Sequence, residues 1–178
     1  MGAQAAVPNQ LAGLEQLFIA HHKAVYQAAY RITGNAGDAE DVLQTVFLRL
    51  LRREAPDPIG SSAYLRRAAV NAALDIVRER QERKVVALDA APIPDARPQP
   101  DRRQDARELR AFLRQAIARL APKAAEIFAL RYFEDLDNGE IARTLGLSVS
   151  DVATSLHRSR SRLKEEIRSY RGEGHGQH

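Results

Sequence analysis

Apolar residues recur three and four positions apart along most of this 178-residue chain, which is the spacing of amphipathic helices. The pattern predicts a first helix over residues 14–29 that ends near Gly34, and a second helix with Asp38 as its cap. Prolines and glycine within residues 54–62 predict a loop, after which a third helix is expected from about Ser62 to Lys84. The chain lacks strand-like alternation, so the sequence predicts an all-α fold.

A proline-rich segment, residues 88–105, separates the first three helices from a second helical region. Helical spacing resumes at Leu109, and Pro122 suits the first position of a helix because its missing N–H is no loss there. We therefore predict two small helical domains at residues 10–86 and 107–170. A flexible linker at 87–106 would join them, and residues 171–178 would form a disordered tail.

Residues 138–162, NGEIARTLGLSVSDVATSLHRSRSR, have the make-up of a helix-turn-helix. Gly146 can supply the positive φ of the turn, and Ser148 or Ser150 can cap the second helix. Val152 and Leu156 would face inward, which leaves an outward polar face suited to the major groove of DNA. The residues of that face are Ala153, Thr154, Ser155, His157, Arg158 and Arg160. An ordinary helical hairpin with a solvated basic surface is the alternative.

Composition supports a polyanionic partner and narrows the chemistry. The net charge is +4, and from Leu156 to Arg171 six basic residues face only two acidic ones. There is no cysteine, which excludes a disulfide framework and a thiolate metal site. The sequence has no apolar run of membrane-spanning length, and its first residues lack the features of a signal peptide. We expect a soluble cytoplasmic protein without cofactor or metal.

Three sequence blocks together resemble the extracytoplasmic-function (ECF) sigma factors, the small initiation subunits of bacterial RNA polymerase. The first two are DAEDVLQTVFLRLLR at residues 38–52 and AYLRRAAVNAALDIVRER at residues 63–80. The third spans residues 113–163 and includes the helix-turn-helix. Each block alone is moderately specific, but their order and the linker between them make the resemblance strong.

The resemblance implies contacts with core RNA polymerase. The acidic second helix is expected to dock on the clamp helices of the β′ subunit through Asp38, Glu40, Asp41, Gln44 and Arg49. The alternative, which spacing alone favours, is that these carboxylates stabilise the positively polarised start of the helix. Tyr132, Phe133 and Leu136 resemble the surface that meets the β flap, although a core role suits them as well. An anti-sigma factor is a further partner that the family often has.

The resemblance also implies two promoter sites. The −10 element is expected to meet Asn71, whose amide can recognise a flipped base, and Tyr64, an aromatic where the family often has tryptophan. A buried, locally satisfied amide is the alternative for Asn71. The complete −10 set is Asp57, Ser61, Ser62, Tyr64, Arg66, Arg67, Asn71, Arg78 and Arg80. The −35 set is Ser150, Thr154, Ser155, His157, Arg158 and Arg160. Ala153 and Ser155 depart from the family, in which many members carry lysine and arginine at these positions.

The function implied is that of an alternative sigma factor, which binds core polymerase, recognises both promoter elements and promotes DNA melting. One rival is a dimeric helix-turn-helix regulator that works without polymerase, but the first domain argues against it. A metal-dependent hydrolase is the other rival. The adjacent Glu40 and Asp41 diverge by about 100° on a helix, and no phosphate loop, nucleophile elbow or zinc motif accompanies them, so we expect no enzyme activity.

Overall fold

The computed structural model describes residues 6–52, 62–88 and 102–175, with side chains described for 13–52, 62–83 and 104–172. Every regular element within these ranges is a helix, which confirms the all-α prediction for them. The helices are α1 (Ala6–Thr33), α2 (Ala36–Leu51), α3 (Ser62–Leu88), α4 (Arg102–Ala118), α5 (Pro122–Tyr132), α6 (Asn138–Leu145) and α7 (Val149–His175). Within the described residues, none of these helices is long and apolar enough to span a bilayer.

The chain divides into two compact units, Met1–Ala73 and Leu74–His178. The boundary falls inside α3, whereas the sequence pattern placed the end of the first domain at residue 86. Three helices also extend further than predicted: α3 continues to Leu88, α4 begins at Arg102, and α7 continues to His175. Residues 171–175 are therefore helical and not the start of the predicted tail. The predicted linker lies mostly in 89–101, outside the described residues.

In the first unit, α1 packs against α2 through small and branched side chains. Val25, Ala28, Ala29 and Ile32 of α1 are buried, as are Val42, Val46, Phe47 and Leu50 of α2. The ring of Phe18 meets that of Phe47 edge to face, with centroids 5.0 Å apart. Because the alanines carry almost no bulk, the two helices approach closely. Their tight packing fixes the direction in which α2 displays its outer face.

At the junction of α1 and α2, the cap of α2 differs from the predicted one. Gly34 adopts the left-handed conformation (φ 67°) and its N–H donates to Tyr30 O at 2.8 Å, which ends α1. Asn35 follows in an extended conformation, and its side-chain oxygen accepts from the N–H of Asp38 at 3.0 Å. Asn35 therefore caps α2, and the prediction of Asp38 as the cap was wrong. Asp38 lies in the first turn of the helix and is buried.

The second unit is built around α5 and α7. Leu130 of α5, Ile141 of α6 and Val152 of α7 are among its most deeply buried side chains. Pro122 stands at the start of α5, as predicted from its missing N–H. At the far end of α7, the ring of Tyr170 stacks on that of Phe112 with centroids 4.3 Å apart. This stack holds the last part of α7 against α4.

Candidate nucleic-acid interface

The helix-turn-helix begins with a capping box that fixes the start of α6. The carboxylate of Asp137 accepts from the N–H of Glu140 at 2.7 Å, and that of Glu140 accepts from the N–H of Asp137 at 2.8 Å. The two side chains thus satisfy two helix-end donors reciprocally. The motif predicted from the sequence began at Asn138, so it did not include this box. Two acidic residues three positions apart, Asp137 and Glu140, were the sequence signal from which the box could have been predicted.

The turn between α6 and α7 has the predicted chemistry. Gly146 is left-handed (φ 64°, ψ 39°), and the N–H of Leu147 donates to Ala142 O at 2.9 Å. Ser148 then caps α7, because its Oγ accepts from the N–H of Asp151 at 3.1 Å and donates to the Asp151 carboxylate at 2.6 Å. Of the two predicted serines, Ser148 is the cap. Ser150 lies in the first turn, with its hydroxyl 2.9 Å from that of Ser148.

α7 has a buried inner face and an exposed outer face. Val152, Leu156, Ser159 and Leu163 are buried and recur every three or four residues. The predicted −35 residues lie away from this stripe: Ser150, Thr154, His157, Arg158 and Arg160 are exposed, and Ser155 is half-buried. The buried Ser159 was not singled out from the sequence. The predicted inner positions, Val152 and Leu156, are confirmed, and the surface they leave is polar and basic.

A shallow groove runs beside this outer face. Thr154, Ser155, Arg158 and Arg162 of α7 form one wall, and Leu120, Ala121 and Ala124 at the junction of α4 and α5 form the other. Arg162 is held on the C-terminal side by Glu166, at 3.3 Å, and Glu166 also pairs with Arg119. Arg158 and Arg160 form no ion pair with any residue that the structure describes. Their charges remain available to an anionic partner.

The acidic face of α2 divides into a buried and an exposed part. Asp38 is only 8% exposed and lies in the first turn, where its N–H donates to the Asn35 cap. Glu40, Asp41, Gln44 and Arg49 are exposed. Four of the five predicted polymerase-facing residues are thus accessible. Asp38 belongs to the packed side of the helix.

The predicted −10 residues are distributed along α3. Asp57 and Ser61 lie outside the described residues. Tyr64, Arg67 and Asn71 recur at intervals of three and four, on one side of the helix, and all are half-buried. Each of these three, like Arg80, interacts with other groups of the protein. Ser62 and Arg80 are exposed, and Arg66 is half-buried.

Arg78 already has partners within the second unit. Its Nε donates to Ala118 O at the end of α4 at 3.0 Å, and its Nη1 donates to the Asp75 carboxylate at 2.9 Å. The guanidinium thereby satisfies a carbonyl that α4 leaves without an intrahelical partner. Phosphate binding by Arg78 would compete with both contacts. No local signal in the sequence indicated a bond between residues forty positions apart.

Neither unit offers the donor set of a metal centre within the described residues, where no three His, Cys, Asp or Glu side chains come together.

The β-flap candidates, like the acidic face of α2, include both exposed and buried residues. Tyr132 is 44% exposed, and its ring lies against that of Phe128 at an angle of 39°, with centroids 4.4 Å apart. Phe133 is half-buried and Leu136 is buried. Tyr132 is thus the member of this set that offers surface.

Comparison with protein families gives two matches that together cover both helical regions. Residues 17–83 match the model of sigma-70 region 2, and residues 113–163 match that of sigma-70, region 4. The second match contains the whole helix-turn-helix. The first contains α1 from residue 17 onward, all of α2 and most of α3.

Similar proteins extend the comparison over nearly the full chain. The ECF RNA polymerase sigma factor SigE of Mycolicibacterium smegmatis is 33% identical over 175 residues, covering 97% of this chain and 66% of that protein. The RNA polymerase sigma-E factor of Streptomyces avermitilis is 34% identical over 148 residues, covering 82% and 80%. Among solved structures, CnrH in complex with the cytosolic domain of CnrY has a similar fold, with a TM-score of 0.54 and 24% identity over 89% of this chain and 90% of that one.

Proposed function

Since this chain belongs to the ECF sigma factors, the RNA polymerase sigma factors that direct promoter-specific transcription initiation, we propose that its helices divide that task among three surfaces. The family is not enzymatic, so the bond-forming chemistry belongs to the polymerase. In this proposal α7 recognises the −35 element, α3 captures the −10 element, and α2 docks on core polymerase. This places its action in the bacterial cytoplasm.

The outer face of α7 carries the proposal. Caps at both ends of the turn and a narrow buried stripe hold this helix so that one polar side stands clear of the protein. A helix displayed in this way fits the major groove of duplex DNA. Arg158 and Arg160 would position the helix on phosphates, and Thr154, Ser155 and His157 would face base edges. Ser155 has only a short neutral hydroxyl, so phosphate contacts supply much of the affinity.

In α3, the side that bears Tyr64, Arg67 and Asn71 would hold an unpaired −10 base. Half-buried polar groups suit a pocket for one base better than a groove, because the pocket excludes water from the base edge. Asn71 would supply a donor and an acceptor to that edge. Strand separation would then be driven by binding energy and require no ATP. As the RNA lengthens, it would displace the linker and release the factor.

Docking on polymerase would use the exposed residues of α2. Glu40, Asp41 and Gln44 offer negative and polar groups to a basic surface, with Arg49 further along the helix. Asp38 would act indirectly, as part of the packed first turn that orients this face. Tyr132 would contribute to a second contact on the β flap. An anti-sigma factor stays a prediction from the family resemblance.

The test is transcription in vitro with core bacterial polymerase, this protein and fragmented genomic DNA from its host, followed by sequencing of RNA 5′ ends. We expect protein-dependent start sites that share two upstream motifs. Starts that are the same with and without the protein would contradict the proposal. A palindromic binding site and a stable dimer would instead support the regulator hypothesis.

The −35 assignment is tested with a charge-matched pair of variants. Replacing Arg158 and Arg160 by alanine should weaken binding to −35 duplex. It should also reduce the slope of log K against log salt concentration by about 2, because two phosphate contacts are lost. The control replaces the exposed Arg107 and Arg110 of α4 by alanine, which changes the net charge equally. Equal losses in both variants would show that only overall charge matters.

A further inference from the structure

α4 carries a basic face that none of the proposed contacts uses. Arg107, Arg110 and Arg114 recur at intervals of three and four, so they line one side of the helix. We call these three residues the α4 stripe. Arg107 and Arg110 are exposed and form no ion pair with any residue that the structure describes. Arg114 is half-buried and interacts with other groups of the protein, so the open charges are those of Arg107 and Arg110.

The acidic residues of α4 lie on a different side of the helix. At about 100° per residue, Glu108 lies about 130° and Asp105 about 170° from the centre of the α4 stripe. The Glu108 carboxylate also accepts a hydrogen bond from Gln104 at 3.1 Å. These two acidic residues therefore face away from the stripe.

The acidic residues of neighbouring helices do not pair with the stripe either. Glu165 and Glu166 of α7 line a hollow together with Phe112 and Arg119, which lie about 150° to 170° around α4 from the centre of the stripe. None of the described carboxylates forms an ion pair with the exposed arginines of the stripe, so its positive charge is not neutralised. On the second-unit part of α3, these carboxylates are Asp75, paired with Arg78, Glu79, paired with Arg83, and Glu82.

The α4 stripe lies far from the proposed −35 surface. Arg119, just after α4, pairs with Glu166 of α7, and Phe112, earlier in α4, stacks on Tyr170. Earlier residues of α4 thus meet later residues of α7, which places the start of the stripe toward the end of α7. The proposed −35 residues end at position 160, about 15 Å before Tyr170 along the helix axis. A duplex held on the outer face of α7 therefore lies toward the other end of this unit.

We propose that the α4 stripe binds the phosphate backbone of the nascent RNA transcript. A guanidinium group can donate two parallel hydrogen bonds to one phosphate, and it stays charged throughout the physiological pH range. Phosphate contacts need no particular base sequence, which suits a transcript whose sequence differs from promoter to promoter. This inference rests on the proposed function, in which the lengthening RNA displaces the linker.

The position of α4 in the chain favours RNA as the anionic partner. α4 begins at Arg102, directly after residues 89–101, the main part of the predicted linker. RNA that displaces the linker meets the start of α4 next, where no described side chain of this helix before Ala116 is buried. Promoter duplex is disfavoured because the −35 surface lies toward the other end of the unit. An acidic segment of the polymerase is the remaining alternative, and experiment distinguishes it.

The test uses full-length protein with core polymerase on a promoter chosen from the start sites found by transcription in vitro. Complexes are halted at a series of RNA lengths, and 4-thiouridine near the 5′ end of the RNA is activated by light. We expect a crosslink to residues 104–114 once the RNA is long enough to displace the linker. Replacing Arg107 and Arg110 by alanine should lower the crosslink yield about fivefold, because two exposed charge pairs with phosphate are lost.

Two matched variants control for net charge and for the kind of side chain. Replacing the exposed Lys164 and Arg168 by alanine removes the same net charge, on the side of α7 away from Tyr170. Replacing Arg107 and Arg110 by lysine keeps the charge of the α4 stripe. We expect crosslink yields within about twofold of the natural protein for both controls. Circular dichroism of the alanine variants checks that the helices remain formed.

A second measurement needs no polymerase. Full-length protein alone is titrated with a short single-stranded RNA at several salt concentrations. Replacing Arg107 and Arg110 by alanine should reduce the slope of log K against log salt concentration by about 1.4, because each phosphate contact on a single strand contributes about 0.7. The affinity of this variant for −35 duplex should stay within about twofold of that of the natural protein.

Three outcomes would overturn the inference. An equal loss of crosslink in the two alanine variants would reduce the effect to overall charge. Absence of a crosslink to α4 at every RNA length would exclude contact with the transcript. Weaker assembly of the Arg107 and Arg110 alanine variant with core polymerase, before any RNA is made, would identify the stripe as a protein interface. Failure of the natural protein to direct initiation would instead contradict the proposed function itself, which separates the two failures.

Discussion

α7 and α3 are the two helices proposed to meet promoter DNA, and they are packed in different ways. On α7, Val152, Leu156, Ser159 and Leu163 are buried and span about 60° of the helix circumference at 100° per residue. On the first-unit part of α3, the buried residues span about 160°. These are Leu65, Ala69, Val70, Ala72 and Ala73.

The difference follows from what each helix would bind. A helix that enters the major groove must stand clear of its own protein over most of its surface, so its buried stripe is narrow. A helix that forms one wall of a base pocket is surrounded by protein and presents half-buried polar groups such as Asn71. Under the proposed function, the width of the buried stripe would distinguish the helix that meets duplex DNA from the helix that holds a single base.

The largest expected effect comes from placing a charge on the narrow buried stripe of α7. Val152→Asp buries a carboxylate without a partner and is expected to destabilise the second unit by at least about 4 kcal/mol. Ala153→Asp, one residue further and exposed, is expected to change stability by less than about 1 kcal/mol. Thermal unfolding followed by circular dichroism measures both. Similar melting temperatures for the two variants would mean that the faces of α7 are wrongly assigned.

The next effect tests the base pocket on α3. Asn71→Ala removes the amide proposed to contact the flipped base and is expected to reduce open-complex formation by about 5- to 100-fold. Binding to core polymerase and to −35 duplex should persist. The measurement is open-complex formation on promoters with each base at the flipped position. Unchanged discrimination among the four bases would show that the pocket assignment is wrong.

The features of α7 that were predictable from sequence depend on residues close together in the chain. The turn glycine, the serine cap and the inward Val152 and Leu156 lie within eleven residues, and backbone chemistry links them directly. The capping box at Asp137 and Glu140 was equally local, and it was missed only because the motif was begun one residue late. Local signals of this kind depend little on the rest of the fold.

The misassigned or missed features depend on context. Asn35 and Asp38 are both good capping residues, and the choice between them follows from Gly34, whose left-handed conformation ends α1 just before Asn35. The bond from Arg78 to Ala118 joins distant residues, so side-chain type and spacing gave no signal for it. The extent of burial around α3 likewise depends on neighbouring helices and not on its own periodicity alone.

A smaller effect tests the turn that aims α7. Gly146 has φ 64° and space for a Cβ, so Gly146→Ala adds backbone strain without a clash and is expected to cost about 1–2 kcal/mol. Gly172, inside α7, also has space for a Cβ, and Gly172→Ala is expected to stabilise by up to about 1 kcal/mol. Chemical denaturation measures both free energies of unfolding. Two changes of the same sign would contradict the role assigned to the left-handed turn.

The smallest effect separates the two serines at the start of α7. Ser148→Ala removes the acceptor for the N–H of Asp151 and is expected to cost about 1 kcal/mol of unfolding free energy. Ser150→Ala removes no cap, so its stability should stay within about 0.5 kcal/mol of the natural protein, whereas its affinity for −35 duplex should fall if the hydroxyl faces DNA. Denaturation and duplex binding are therefore measured on both variants. The two residues are only two positions apart in the chain. A stability loss confined to Ser148 and an affinity loss confined to Ser150 would therefore separate the cap that holds α7 from the face proposed to bind DNA. A larger stability loss for Ser150 would reassign the cap.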